Sequence, residues 1–300
     1  MSGPQQPEPP APSLLQPTLV ARLERLSVRA RQVVEGTLSG LHRSPHHGQS
    51  IEFAEHKEYS PGDEIKHIDW KAYGRFDKYY VKQYEQETNL RAWILLDTSA
   101  SMGFSHEGVR KLDYAQVLAA SLAYLLIQQG DSVGLLTWAG GPKTFLPARS
   151  AGAHLHELLR ALEGAGPEGE SDLGAATRFL NERARRRGLV IVISDLLDPD
   201  PRTLSQLRLL RARQHDVAVF HLLDRAELEL PYEDPALFVG VEDARELMAH
   251  PAELRASYQE EVAAFIDQTR RGAREADVDY RLVPTDQAYD RTLIDFLGQR

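Results

Sequence analysis

The chain has 300 residues, 42% of them hydrophobic, which suits one large domain with an appendage or two small domains and leaves enough chain for a sizeable core. A formal charge of −9 and a pI near 5.7 argue against generic nucleic-acid binding, which needs a basic face. The absence of cysteine excludes disulfides, thiolate metal sites and cysteine catalysis. No run of about 18 apolar residues marks a membrane span, and the first residues lack the basic and apolar regions of a signal peptide, so a cytoplasmic protein is expected.

Residues 1–17 are rich in Pro and Gln and offer little to bury, so they are expected to form a disordered tail. From Thr18 to about Leu38, apolar residues at Leu19, Leu23, Leu26, Ala30, Val33 and Val34 recur at helical spacing, and the helix they predict is expected to dock on the next domain. The loop from Leu41 to Gln49 holds His42, His46 and His47. Without a Cys or carboxylate framework they read as solvated side chains rather than a zinc site. Residues 50–59 alternate imperfectly as a half-exposed strand, Ser60-Pro61-Gly62-Asp63 supplies a turn, and Lys78 to Glu85 predicts a second strand paired with the first. Residues 18–90 are thus expected to form a helix and a β-containing appendage, and residues 91–300 an α/β domain.

That domain opens with Ala92-Trp93-Ile94-Leu95-Leu96, an apolar run that predicts a strand buried on both faces. A broad helical stripe spans Lys111 to Gln129, with Gly130 placed to end it. Ser132–Trp138 predicts the next strand, Lys143–Leu146 a short edge strand, and Leu155, Leu158, Leu159 and Leu162 a short helix on which His154 and His156 are expected to be solvated. A helix is expected from Ser171 or Asp172 to Arg187 with Gly188 at its end, then a strand from Leu189 to Asp195, and a helix capped by Asp200-Pro201. Val217–Leu223 is a further strand with Asp224 as a loop cap. Short strands near Leu228 and Phe238, a long helix from Leu254 to Thr269, a strand from Val278 to Val283 and a helix from Tyr289 to Gly298 complete the chain. Strands separated by helices predict a mostly parallel, doubly wound Rossmann-like sheet.

Oxygen-bearing residues begin where the first buried strand stops, at Asp97-Thr98-Ser99-Ala100-Ser101. One carboxylate and two hydroxyls at i, i+2 and i+4 in a tight loop can converge on a hard cation, and because hydroxyls add no charge the ion stays electrophilic. This stretch resembles the metal-ion-dependent adhesion site of von Willebrand factor A-type domains, which opens with Asp-x-Ser-x-Ser. The resemblance implies two further pieces. Ser171 stands where the family has a Thr, and Asp195 where it has an Asp after the fourth strand. Serine keeps the oxygen but leaves a freer hydroxyl rotor. Ser171 is equally a candidate N-cap, a role it shares with Asp172. The ligand set implied is Asp97, Ser99, Ser101 and Ser171, with Asp195 direct or through water, holding Mg²⁺, with Mn²⁺ or Ca²⁺ as alternatives.

A second resemblance covers the preceding segment. The pattern Glu58-Tyr59-x-Pro61-Gly62-Asp63, then Ile68-Asp69-Trp70, Arg75 and Val81-x-x-Tyr84-Glu85-x-Glu87, directly before Asp-x-Ser-x-Ser, is similar to a bacterial family called "domain of unknown function 58". Members are typically encoded beside MoxR-type AAA+ ATPases, which implies such a partner. Asp63, Asp69 and Arg75 belong either to a partner surface or to a local network that satisfies their charges around Trp70. The function implied is a metal-dependent protein-binding module, an adaptor or chaperone accessory to a MoxR-type AAA+ ATPase, and not an enzyme. A metal-dependent phosphohydrolase would be expected to carry a second carboxylate at position 99 and a paired Lys or His. A metal-free scaffold would use Asp97 and the serines only as helix caps.

Overall fold

The computed structural model describes residues 26–35, 37, 56–58, 80–82, 90–197, 203–241 and 245–298. Contacts divide the chain into two units, residues 1–41 with 90–300, and residues 42–89. In the smaller unit, β1 (His56–Glu58) pairs antiparallel with β2 (Tyr80–Lys82), Lys57 lying opposite Val81. The tail, the histidine-bearing loop, Asp63, Asp69, Arg75 and the Asp200-Pro201 cap lie outside the described residues.

The larger unit is built on a six-stranded sheet of β3 (Arg91–Asp97), β4 (Ser132–Trp138), β5 (Pro142–Arg149), β6 (Leu189–Ser194), β7 (Asp216–Leu223) and β10 (Asp279–Pro284), in the order β10-β7-β6-β3-β4-β5. All neighbours are parallel except β5, which runs antiparallel along the β4 edge. The period of two explains the uniform apolar runs. Ala92, Ile94 and Leu96 enter the core on one face with Leu189, Ile191 and Ile193, while Trp93 and Leu95 enter the other with Val190 and Val192. Each leucine so enclosed contributes about 2 kcal/mol of transfer free energy.

Helices cover both faces. On the first lie α1 (residues 26–35), α2 (Lys111–Gln128), α3 (Gly152–Gly164) and α8 (Tyr289–Leu297). On the second lie α4 (Leu173–Arg183), α5 (Thr203–Ala212) and the end of α7 (Pro251–Glu275), through Leu180, Leu210 and Ala273. The α2 stripe is apolar almost all round because the helix is enclosed on nearly every side. Although the sequence boundary grouped α1 with the appendage, its Leu26, Ala30 and Val34 join the α/β core, and the Arg29 guanidinium donates to the Tyr289 hydroxyl at 3.2 Å.

Three local expectations are corrected. Helix α4 stops at Arg183, and residues 184–188 are irregular, because Ala184 turns into the core and Gly188 lies against the Arg91 carbonyl, where a Cβ would stand 2.2 Å from that oxygen. Leu228 lies on the short helix α6 (Arg225–Glu229), whose Asp224 and Glu227 cap each other's backbone, and not on a strand. Phe238 does lie on a strand, β8 (Ala236–Val239), paired with β9 (Glu246–Ala249). His154 is buried rather than solvated, since its Nε2 donates to the Val133 carbonyl at 3.0 Å beside a register irregularity in the β4–β5 ladder; His156 is exposed as expected.

Candidate metal centre

Strand β3 sends the chain on to β4 on one side, whereas β6 lies on its other side, so the strand order reverses between β3 and β6. The carboxyl ends of these two strands therefore frame a crevice, the place where doubly wound sheets bind ligands. Asp97 is the last residue of β3, and Asp195 follows β6 directly. Both are fully buried.

Four of the five expected site residues meet through direct contacts. Asp97 Oδ1 accepts the Ser99 backbone N–H at 2.9 Å, which folds the loop back over the carboxylate. Ser99 Oγ lies 3.1 Å from Ser101 Oγ, and the Ser171 hydroxyl donates to Asp97 Oδ2 at 3.0 Å. Asp195 stands across the crevice, near enough that its charge disfavours ionisation of Asp97. The serines are not helix caps. Ser99 precedes the 3₁₀ turn Ala100–Gly103 without a side-chain capping bond, and α2 begins only at Lys111. At the third loop the two candidate roles are divided between neighbours, since Asp172 caps α4 by accepting the Ala175 N–H at 2.7 Å and leaves the Ser171 hydroxyl for the cluster. That hydroxyl is also less free than expected of a serine, because the Trp138 indole N–H donates to it at 3.2 Å.

Sequence reasoning missed four contributors, Trp138, Ser194, Lys111 and Glu227. Ser194 donates to Asp97 Oδ2 at 2.6 Å and accepts the Leu196 N–H at 2.9 Å, an arrangement that accompanies a left-handed Leu196 (φ 54°). Lys111, at the start of α2, places its ammonium 2.8 Å from Asp195 Oδ2 and 2.6 Å from Glu227 Oε1. Ser194 adjoins Asp195 and was legible by position, but nothing local links positions 111, 195 and 227. Asp224 keeps the capping role expected of it, with Oδ1 accepting the Ala226 N–H at 2.8 Å.

Charge explains what the cluster can do. Burial pushes the Asp97 carboxyl up to about 7, with the Asp195 charge adding to the effect, although hydrogen bonds from Ser194 and Ser99 oppose it. Burial also works against the Lys111 ammonium, but Asp195 and Glu227 outweigh it and hold the group above its ordinary range. His221 beneath the site is pushed down to about 4 by burial, against the pull of Asp195. Asp195 and Glu227 thus share one ammonium, while no ion pair reaches Asp97 among the described residues, so ionised Asp97 leaves a surplus of negative charge. An all-oxygen donor set with surplus negative charge fits a small hard divalent cation. No cluster of three His, Cys, Asp or Glu side chains suited to a metal occurs among the described residues, so any such ion would depend on the hydroxyls.

An α/β protein with a carboxylate and hydroxyl cluster at its switch point is the class these features define. The family described as "Protein of unknown function DUF58" matches residues 55–267, and the chain belongs to that family. The uncharacterized protein Rv1480 of Mycobacterium tuberculosis (strain ATCC 25618 / H37Rv) is 30% identical over 291 residues, covering 95% of this chain and 90% of that protein. Among solved structures, an aerotolerance-related membrane protein from Bacteroides fragilis is similar at 19% identity and TM-score 0.48, over 70% of this chain and 97% of its own. The vWF domain of the type V pili tip protein Mfa5 from Porphyromonas gingivalis is similar at 11% identity and TM-score 0.38, over 70% and 95%. No helix among the described residues is long and apolar enough to cross a membrane.

Proposed function

We propose that this protein is a metal-dependent protein-binding module in which a divalent cation, Mg²⁺ in the first instance, is held by Asp97 with the hydroxyls of Ser99, Ser101 and Ser171, and captures a carboxylate of a protein partner. The observation that carries the reading is the convergence of those four side chains at the switch point, beside uncompensated negative charge. When bound, the ion would supply an electrophilic centre with positions left for a partner's Asp or Glu. The chain's own residues do the orienting. Ser194 and the Ser99 N–H fix the Asp97 carboxylate, and Trp138 aims the Ser171 hydroxyl. The overall charge of −9 does not oppose an acidic partner, since repulsion beyond about 8 Å is largely screened at physiological salt while the cation acts at contact. The partner class we propose is a MoxR-type AAA+ ATPase, with this protein as its adaptor or chaperone accessory.

Capture of that ATPase by the full chain, measured in Mg²⁺ and in EDTA, tests the proposal. Capture is expected in Mg²⁺ only and is expected to disappear in Asp97→Ala, whose fold remains cooperative. Capture that survives both chelation and the substitution refutes it. Turnover of a phosphate ester that needs metal and is lost in Asp97→Asn would identify a hydrolase instead.

A further inference from the structure

Lys111 is an unexpected residue for its place. It is fully buried, a state lysine almost never adopts unpaired, and it opens a helix, where the backbone dipole disfavours a cation. Its ammonium reaches Asp195 Oδ2 at 2.8 Å and Glu227 Oε1 at 2.6 Å, and the Phe104 ring lies 5.8 Å away. Asp195 Oδ1 in turn accepts the Leu197 N–H at 3.3 Å. Both oxygens of Asp195 are therefore engaged by donors of the protein itself. The Asp97 carboxylate is engaged only by hydroxyls and an amide N–H, and the hydroxyls can rotate to offer lone pairs to an ion.

Resting on the cation reading above, we infer that Lys111 is a positioning residue that withdraws Asp195 from direct ligation, leaving Asp97 as the one carboxylate ligand of a weakly held, strongly electrophilic ion. Two carboxylates on one divalent ion would neutralise it and tighten its binding, at the expense of its attraction for a third carboxylate from a partner. A fixed ammonium beside the second carboxylate prevents that. Its own positive charge also lowers the affinity of the site by direct repulsion. The inferred role is to keep the ion exchangeable and hungry for a partner's ligand.

The test is a Mn²⁺ titration of the full chain, with free Mn²⁺ followed by electron paramagnetic resonance and Mg²⁺ competition to show that the two ions share the site. Wild type is compared with Lys111→Met, Asp195→Asn and Asp97→Asn. A second lysine variant, Lys111→Met with Glu227→Gln, avoids stranding the Glu227 charge should the single change unfold the protein. Either lysine variant is expected to bind Mn²⁺ at least about tenfold tighter than wild type, because it removes a repelling charge and frees a carboxylate. A lysine with a merely structural role would weaken binding on removal. Asp195→Asn is expected to weaken binding by no more than about tenfold, a through-space effect, whereas Asp97→Asn abolishes it. Mn²⁺ binding that the lysine variants leave unchanged or weaker, or that Asp195→Asn abolishes, overturns the inference while the cation reading stands. Absence of Mn²⁺ binding in every variant overturns both.

Discussion

Asp97 is expected to destabilise the metal-free protein in a pH-dependent way, and Asp97→Asn isolates the effect. The folded carboxyl titrates near 7 because it is buried beside Asp195, against an ordinary value near 4 in the unfolded chain. A carboxyl whose folded value is raised is held protonated by the fold at pH values where the unfolded chain has already released the proton. Stability of the wild type therefore falls as pH rises from about 4 to about 7 and is level above that, all else equal. At about 1.4 kcal/mol per unit, the full penalty is on the order of 4 kcal/mol. Asparagine carries no charge in either state, and its oxygen can keep the Ser99 N–H while the Ser171 and Ser194 hydroxyls turn to accept from its amide. In EDTA, the stability of Asp97→Asn minus that of wild type is thus expected to grow by about 2 to 3 kcal/mol between pH 5 and pH 8. Urea denaturation followed by the fluorescence of the buried Trp93 and Trp138 measures it. A gap that is constant with pH, or that shrinks toward pH 8, refutes the argument. Saturating Mg²⁺ at pH 8 is expected to close the gap by stabilising the wild type alone.

Gly188→Ala places a methyl 2.2 Å from the Arg91 carbonyl oxygen and 2.9 Å from the Trp93 ring, so it is expected to cost about 3 kcal/mol in chemical denaturation, with a shifted midpoint and an unchanged slope. Asp172→Ala removes the α4 cap and is expected to lower stability by about 1 kcal/mol while leaving cation-dependent capture intact, a result that separates the cap from its neighbour Ser171 in a paired melting and capture assay.

The sheet was legible because buried parallel strands advertise themselves. Residues 92–96 and 189–193 are apolar at every position, which only burial on both faces explains. Two loops of the cluster follow the carboxyl ends of parallel strands, β3 and β6, whereas Ser171 lies between helices α3 and α4 and was legible only through the resemblance. What remained hidden was non-local. Lys111 read as the first residue of a helical stripe, and its partners lie 84 and 116 residues away. His154 read as a polar residue on a short amphipathic helix, and the carbonyl that draws it inward is exposed by an irregularity in another strand pair. Gly188 was legible as a break but not as a close approach of backbone to backbone. The helix bearing Leu228 was legible too, because Asp224-x-x-Glu227 is a capping-box pattern that announces a helix start.

The bond between Arg29 and Tyr289 spans 260 positions, and it sets an order of events during synthesis. The first helix presents Leu26, Ala30 and Val34 long before the strands of the sheet it covers, and the closing helix on the same face, have left the ribosome. Until then that apolar stripe has no native surface to rest on. Its docking closes a long stretch of chain, at an entropic cost that grows only slowly with the length closed, and contacts this distant in sequence are of the kind that slow folding.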